Sequence, residues 1–180
     1  MKQRRMARFF NAFARYVWEE AYAFFNKRPD EVWFRLAEGL GSRPDSKTVA
    51  FAMKVLDVAP AIITGSYAEF QRLPPIPVDV HVARMSHYSG VVVGELQPLE
   101  VGVYRSAWFK VSRAVTERLG RTVSPLRLDS LLWQLSKEAS RYGYVKRRAV
   151  PAMARYLADN AKVSSEVALK VASELSVNME

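Results

Sequence analysis

The sequence contains no cysteine among its 180 residues. This absence excludes disulfide bonds, thiol catalysis, iron–sulfur clusters and zinc sites with thiolate ligands. Histidine is almost as scarce, because His81 and His87 are the only residues of that type. Their spacing does not place both on one face of a helix, so the sequence predicts no metal site.

Long apolar runs are also missing, and no segment approaches the length of a membrane span. The N-terminus begins with basic residues, as a signal peptide would, but Arg15, Glu19 and Glu20 interrupt the apolar segment that follows. We therefore expect a cytoplasmic protein that has no membrane partner.

Acidic residues are outnumbered, since the formal net charge is +9 and the sequence pI is about 9.9. A basic excess favours partners rich in phosphate, and such an attraction weakens with salt. Apolar residues make up 49% of the chain, enough for a packed core. The charge alone leaves two interpretations open, a nucleic-acid-binding protein and a helical interaction protein whose basic charge is incidental.

Helical spacing of apolar residues dominates the chain, and Val91–Glu95 is the only strand-like run. Leu73–Pro77 cannot be helical, because each proline removes a backbone donor and restrains its predecessor. Residues 60–66 are compatible with a kinked continuation of a helix or with a break. The expected helices cover residues 3–26, Asp30 to Gly39, Asp45 or Ser46 onward, Asp79 to near Gly90, 104–119, 126–142, 146–159 and 164–176.

Side-chain caps and apolar faces are expected at particular positions in these helices. Asp30 is expected to cap the second helix and Ser164 the last one. Gly39 and Gly41 are expected to end the second helix. The apolar side of the third helix is expected to contain Val49, Phe51, Ala52, Val55 and Leu56.

Lys47 occurs where a glycine-containing hairpin opens a helix, in the run GLGSRPDSKT from Gly39 to Thr48. Gly39 and Gly41 allow tight backbone turning, and free amides at a helix start can hold a phosphate. The apolar pattern of this helix predicts that its first turn faces a cleft, where desolvation favours the neutral, nucleophilic amine. The alternative is an ordinary solvated lysine.

Asp79 follows a rigid, extended approach built by Pro74, Pro75 and Pro77. The ordinary role of an aspartate here is a helix N-cap, which contributes about 1 kcal/mol. That role is compatible with chemistry, because a capped carboxylate has a fixed rotamer and stays ionised. Such a group suits the stabilisation of positive charge that develops on a sugar ring.

Two runs together resemble the signature of the helix-hairpin-helix DNA glycosylase superfamily. They are the hairpin that leads into Lys47-Thr48 and Pro77–Arg84, which reads PVDVHVAR. Pro44–Thr48 is similar to the archaeal branch, the 8-oxoguanine DNA glycosylase/AP lyases. Ser124–Trp133, which reads SPLRLDSLLW, is similar to a further segment of that family. The similarity covers about residues 30–140.

The resemblance implies a bifunctional DNA repair enzyme that flips a damaged nucleotide out of the duplex. Lys47 would attack the anomeric carbon and displace the oxidised base, and β-elimination from the resulting Schiff base would cleave the strand. Asp79 would stabilise the oxocarbenium-like charge or help to move the proton. No metal or organic cofactor is implied.

Further site residues follow from the resemblance. Asp129 and Trp133 share a helix face and would bind the flipped base, although core packing is the alternative role of Trp133. Phe51 would form another pocket wall, and Pro77 would offer a carbonyl. The phosphate contacts expected first are Gly39, Gly41, Arg43 and Arg84, and the further basic candidates are Arg105, Lys110, Lys146, Arg147 and Arg148.

The chain departs from the family pattern in two places. Fewer residues than usual precede Lys47, so we expect a late start or a shortened form that lacks part of the N-terminal lobe. An uncovered apolar face would then favour dimerisation or aggregation, and the oligomeric state stays open. Its members are expected among Phe9, Phe10, Phe13, Phe24 and Phe25. Arg127 stands where the family commonly has His, so lyase activity would outlast base selectivity.

These observations predict an all-α, helix-hairpin-helix DNA glycosylase-like fold with two helical lobes around a cleft. A single domain would span residues 1–180, with the hairpin at about 36–58 and the Asp79 segment at 73–90. The predicted function is base-excision repair of double-stranded DNA that contains oxidised guanine or abasic sites, in the cytoplasm at the nucleoid. The alternative is a non-catalytic or lyase-only helical DNA-binding module.

Overall fold

The computed structural model describes residues 2–14, 24–25, 27–94 and 100–180. Helices dominate these residues and no strand is present among them, which confirms the predicted all-α fold. The helices are α1 Lys2–Phe13, α2 Pro29–Leu40, α3 Lys47–Thr64, α4 Val80–Tyr88, α5 Val101–Leu119, α6 Pro125–Ser140, α7 Lys146–Ala161 and α8 Ser165–Glu174. None of them is long and apolar enough to cross a membrane.

Most helix boundaries agree with the sequence pattern. The first predicted helix is an exception, because α1 ends at Phe13, while residues 15–23 and 26 of that prediction lie outside the described part. The open question at residues 60–66 is settled, since α3 continues through Pro60 and ends at Gly65 in a left-handed conformation. The extended path predicted for Leu73–Pro77 is confirmed.

The chain divides into two compact units. Unit 1 consists of Met1–Pro77 and Val115–Arg127, and unit 2 consists of Val78–Ala114 and Leu128–Glu180. The boundary between residues 114 and 115 falls inside α5, and the boundary between residues 127 and 128 falls inside α6. The predicted single domain with two lobes around a cleft stays a prediction.

The core of unit 1 takes up most of the phenylalanines near the N-terminus. Phe13 is only 2% exposed, and Phe9, Phe24 and Phe25 pack against the same core. Phe10 alone among them is largely exposed, at 48%. The expectation of an uncovered apolar face is therefore wrong for Phe9, Phe13, Phe24 and Phe25, which pack in the core of unit 1, whereas Phe10 remains largely exposed.

Helices α1 and α2 approach each other closely at Gly39. A β-carbon built on Gly39 would lie 2.4 Å from the β-carbon of Ala12, which is far inside van der Waals contact. Arg8 adds a hydrogen bond from Nη1 to the carbonyl of Leu40, 3.2 Å away. Gly39 lies within α2 and serves helix packing, so the prediction that it turns the hairpin is wrong.

Asp30 does not cap α2. Pro29 begins the helix one residue earlier, with Arg28 at the N-cap, so Asp30 lies in the first turn. Its carboxylate instead accepts hydrogen bonds from the amides of Gln71 and Arg72, both at 2.9 Å. The predicted cap is wrong, and Asp30 anchors the segment after α3 within unit 1.

The buried face of α3 differs from the predicted one. Val49, Ala50 and Met53 are fully buried, whereas Phe51 and Val55 are each 56% exposed. The prediction is wrong for these two residues because the core-facing stripe begins at Val49, and Phe51 and Val55 follow Lys47 at four-residue intervals on another face.

Helix α4 lies in the interior of unit 2, because its Val82 and Met85 are buried. Trp108 donates its indole N–H to the hydroxyl of Ser86 at 2.8 Å, which joins α5 to α4. The predicted Ser164 cap of α8 is confirmed by the bond from the amide of Val167, 3.3 Å long. This frame places Asp79 and Trp133 on neighbouring elements of one unit.

Candidate active site

The turn between α2 and α3 is closed by a helix-ending motif at Gly41. Gly41 has φ of 59° and donates its N–H to the carbonyl of Glu38 at 2.9 Å. The amide of Ser42 reaches the carbonyl of Ala37, also at 2.9 Å, which completes a Schellman arrangement. Trp33 holds the loop further along, because its indole N–H donates to the carbonyl of Pro44 at 2.8 Å.

Lys47 is the first residue of α3. The preceding Ser46 has the extended backbone of an N-cap, but its side chain makes no capping bond, and its hydroxyl oxygen is buried without a partner among the described residues. Ser46 therefore does not occupy the amides of the first turn, and amides at a helix start can bind an anion. Lys47 and Thr48 are exposed, so the expected shelter of this turn from water is wrong.

Two further predicted residues, Phe51 and Arg43, lie around this helix start. Phe51 follows Lys47 by one turn on the same exposed face, and the ammonium of Lys54 lies 5.9 Å from the centroid of its ring. Arg43 precedes the helix and forms a two-pronged ion pair with Asp45, at 3.0 and 2.8 Å. The Arg43 side chain is 84% exposed, so its outer face is open to a ligand.

Asp79 is the N-cap of α4, as predicted. One carboxylate oxygen, Oδ1, accepts from the amides of His81 at 2.9 Å and Val82 at 3.0 Å. Both capping bonds use the same oxygen, which leaves Oδ2 outside the cap. Pro77 and Val78 are buried, and they fix the extended path that leads into the carboxylate.

Lys47 belongs to unit 1 and Asp79 to unit 2. Each lies at the start of a helix, but the predicted meeting of the amine and the carboxylate stays a prediction.

Asp129 and Trp133 lie one turn apart on α6. Asp129 is 4% exposed, while Trp133 is half-buried, so its indole is not a fully enclosed core ring. The imidazole of His81 contacts the indole edge to face, with centroids 5.6 Å apart and planes at 68°. The ammonium of Lys137 lies 4.9 Å from the indole centroid. Trp133 thus has polar and cationic neighbours rather than purely aliphatic ones.

A chain of polar side chains behind Trp133 was not predicted. His81 Nδ1 lies 3.1 Å from the hydroxyl of Ser136, which lies 3.0 Å from the hydroxyl of Tyr144. Arg84, predicted as a phosphate contact, donates to the Tyr144 hydroxyl at 3.4 Å. No spacing rule joins these residues in sequence, because α4, α6 and the turn before α7 supply them separately.

Tyr88 packs against the same group of side chains. Its ring stacks on that of Tyr144, with centroids 5.0 Å apart and planes at 28°. Burial raises the pKa of the Tyr88 phenol; the nearby Tyr144 and Glu180 add to the rise, and Arg84 opposes it.

A pocket of about 560 Å³ lies between α1 and α2. It is lined by Arg8, Asn11, Ala12, Arg35, Glu38 and Gly39. Its two arginines are engaged, one with the carbonyl of Leu40 and one with Glu31. Apart from Gly39 it contains no predicted site residue, so we assign it no catalytic role. Among the described residues no group of three or more His, Asp or Glu side chains is arranged to hold a metal ion.

The AGOG family model, described as N-glycosylase/DNA lyase, matches residues 1–169. Three archaeal proteins named N-glycosylase/DNA lyase are similar to the chain. The protein of Pyrobaculum aerophilum is 34% identical over 109 residues, that of Methanopyrus kandleri 28% over 116, and that of Thermococcus kodakarensis 35% over 98.

These alignments cover 61%, 64% and 54% of this chain, but only 41%, 41% and 31% of the three relatives. The chain therefore spans less than half the length of the curated relatives it matches. No solved structure shows significant similarity to it.

Proposed function

Because the chain belongs to the AGOG N-glycosylase/DNA lyase family, we propose that it is a base-excision repair enzyme that removes a damaged base and then cleaves the DNA strand. We propose double-stranded DNA containing 8-oxoguanine or an abasic site as its substrate. The family match over residues 1–169 is the observation that carries the proposal. The net charge of +9 supports a DNA partner, and a DNA substrate would hold the protein at the nucleoid.

Lys47 is the proposed nucleophile. Its neutral amine forms a bond to the anomeric carbon while the bond from that carbon to the base breaks, and the base leaves with a proton. Opening of the sugar ring gives a Schiff base, and loss of a proton from the adjacent carbon expels the 3′-phosphate. The exposed position of Lys47 supports access to a flipped nucleotide, and DNA closing over it would remove water and favour the neutral amine.

Asp79 is the proposed partner of the nucleophile. Its Oδ1 is committed to the cap of α4, which fixes the rotamer of the carboxylate. The uncommitted Oδ2 is therefore the atom that would face positive charge developing on the sugar, or would accept a proton from the amine. This arrangement supports electrostatic stabilisation by a group that needs no reorganisation during the reaction.

The flipped base is proposed to lie against Trp133 and to hydrogen bond to Asp129. A half-buried indole with polar neighbours supports a stacking role better than a core role. We propose Phe51 as a second apolar wall and the carbonyl of Pro77 as a further acceptor. The exposed ring of Phe51, one turn after Lys47, supports its part in this assignment.

The DNA backbone is proposed to be held near Gly39 and Gly41, by Arg43 and by Arg84. The side chain of Ser46 makes no capping bond at the start of α3, which supports a phosphate site beside Gly41. Arg43 is pre-oriented by Asp45 and remains largely exposed, which suits a phosphate contact. Gly39 would act indirectly, by allowing α1 to pack beneath the hairpin.

Borohydride trapping tests the proposal. The protein is mixed with three labelled duplexes, which carry 8-oxoguanine, an abasic site or no damage, and sodium borohydride reduces any Schiff base to a stable adduct. We expect adducts with the first two duplexes only. Lys47→Arg keeps the positive charge but cannot form the adduct, whereas the matched variant Lys54→Arg on the same helix should trap as the wild type does.

The proposal fails if the wild-type protein gives no adduct with either damaged duplex while a known glycosylase traps in parallel. It also fails if Lys47→Arg traps as well as Lys54→Arg does, because another amine would then be the nucleophile.

A lyase that acts only on abasic sites is a second candidate, and the setting of Arg127 favours it. Arg127 replaces the His of the family pattern, and its guanidinium is committed to Asp57 and two backbone carbonyls within unit 1. A group held in this way supports the structure rather than contacts a base. An adduct with the abasic duplex but none with the 8-oxoguanine duplex would select this candidate.

A further inference from the structure

Tyr144 has a backbone conformation that its residue type disfavours. Its φ is 59°, in the left-handed region, directly after Gly143 with φ of 61°. The amide of Tyr144 closes the turn after α6 by donating to the carbonyl of Ala139 at 3.0 Å. Glycine would adopt this conformation without strain, whereas a bulky aromatic residue adopts it at an energetic cost. The side chain of Tyr144 must therefore make contacts that offset this cost.

Among the described residues, the side chain of Tyr144 bonds to or stacks on Ser136, Arg84 and Tyr88, all of which belong to unit 2. Its hydroxyl bonds to Ser136 at 3.0 Å and accepts from Arg84 at 3.4 Å. Its ring stacks on Tyr88 and lies 5.3 Å from the guanidinium carbon of Arg84. Lys162 is the other non-glycine residue with positive φ in the described part, but it is an exposed helix end.

Ser136 links Tyr144 to His81. The Tyr144 oxygen accepts from Arg84, because a guanidinium only donates. The Ser136 hydroxyl lies 3.0 Å from the Tyr144 hydroxyl and 3.1 Å from His81 Nδ1, so Tyr144, Ser136 and His81 form a hydrogen-bonded relay. The bond to Ser136 restrains the plane of the imidazole ring that contacts Trp133 edge to face.

We propose that Tyr144 is a positioning residue that fixes the Trp133 indole through Ser136 and His81. This inference rests on the proposed function for its consequence: an indole held at one angle would discriminate between a damaged and a normal base. Cleavage at an abasic site needs no stacked base and is therefore independent of the indole angle.

The orientation of Trp133 is tested without DNA by fluorine NMR. The full chain, with its four tryptophans replaced by 5-fluorotryptophan, gives a Trp133 resonance identified by its loss in Trp133→Phe. Tyr144→Phe removes only the hydroxyl and should shift and broaden that resonance. Tyr88→Phe removes a hydroxyl from the partner ring, outside the relay, and should leave the resonance in place. An unchanged Trp133 resonance in Tyr144→Phe overturns the proposal, whether or not the protein repairs DNA.

Single-turnover kinetics test the consequence. Loss of one hydrogen bond in the relay should slow excision of 8-oxoguanine by about fivefold, while cleavage at a preformed abasic site stays within about twofold of the wild type. Ser136→Ala should reproduce the split, and the double variant Ser136→Ala/Tyr144→Phe should be no slower than either single variant. Equal losses in both steps would contradict the proposed link between the relay and base selectivity.

Discussion

The guanidinium of Arg127 and the carboxylate of Asp57 form a two-pronged ion pair inside unit 1. Nε lies 2.9 Å from Oδ2, and Nη2 lies 2.9 Å from Oδ1. Asp57 is completely buried, whereas 18% of the Arg127 side chain is exposed. The ring of Tyr67 covers the guanidinium, with its centroid 4.0 Å from the central carbon. Arg127, which departs from the family pattern, therefore stabilises the fold of unit 1 in this chain.

Removing Arg127 should destabilise the protein strongly. Arg127→Ala leaves the buried carboxylate of Asp57 without its counter-ion, and we expect a loss of about 3–5 kcal/mol in the free energy of unfolding. Arg141→Ala is the control, because Arg141 pairs with Glu138 at the surface and should cost at most about 1 kcal/mol. Urea unfolding followed by circular dichroism measures both. Equal losses in the free energy of unfolding would show that the buried ion pair stabilises the protein no more than the surface pair does.

Two substitutions of Asp79 should separate its cap from its proposed chemistry. Asparagine is a good N-cap, so Asp79→Asn should leave the free energy of unfolding nearly unchanged, whereas Asp79→Ala should lose about 1 kcal/mol. Both remove the negative charge, and both should slow base excision by at least about a hundredfold. Thermal unfolding and single-turnover excision are measured on the same preparations. Excision at the wild-type rate in Asp79→Asn would remove the carboxylate from the mechanism.

Removing the ring of Phe51 should weaken DNA binding and leave the stability of the protein almost unchanged. Its ring is 56% exposed, so Phe51→Ala should change stability by no more than about 0.5 kcal/mol. Binding of a duplex with an abasic-site analogue should weaken measurably in fluorescence anisotropy. Val55→Ala is the matched control, since Val55 is equally exposed one turn further from Lys47. If the two variants bind alike, Phe51 is not a wall of the site.

Substitution by alanine should destabilise the protein at Gly39 and stabilise it at Gly102. A β-carbon at Gly39 would meet that of Ala12 at 2.4 Å, so Gly39→Ala should cost about 1–3 kcal/mol despite its better helix propensity. A β-carbon at Gly102 in α5 meets nothing within 4 Å, and Gly102→Ala should stabilise by up to about 1 kcal/mol. Adding Ala12→Gly to Gly39→Ala should recover much of the loss. Destabilisation of both single variants by similar amounts would contradict the close approach of α1 and α2.

The phenol of Tyr88 should make the protein less stable in alkali. Its pKa is raised above the ordinary value of 10.0, so the folded state holds the proton more tightly than the unfolded state does. The stability that this group contributes is fully present below about pH 10 and is lost as the pH rises through the raised pKa. Tyr88→Phe cannot ionise and should flatten that part of the curve. Parallel curves of unfolding free energy against pH for both proteins would exclude the effect.

The helices and the Asp79 cap were predictable because local patterns specify them. Proline at 74, 75 and 77 excludes a helix, and an aspartate after such a run finds free amides at the next helix start. The exposure of Phe51 was not predictable in this way, because the apolar pattern of α3 is compatible with more than one face. Packing in unit 1 selects the face that begins at Val49.

Partnerships between distant residues lie beyond local patterns. Nothing in the sequence joins Asp57 to Arg127 or His81 to Ser136, since each pair forms only when separate elements pack. Asp30 is a further example of a distant partnership that a local pattern does not predict. Aspartate is a common helix cap, but the carboxylate of Asp30 accepts hydrogen bonds from the backbone amides of residues 71 and 72 instead. Gly39 resembled a turn residue and proved to be a point of helix contact.

Neither compact unit is a contiguous stretch of polypeptide. The chain leaves unit 1 after Pro77, re-enters it at Val115 in the middle of α5, and leaves again after Arg127 in the first turn of α6. A protease that nicks the backbone once therefore cannot release either half as a free fragment. Deletion from one end cannot isolate either unit, because an internal segment would also have to be removed, and the cuts at 114/115 and 127/128 would divide α5 and α6.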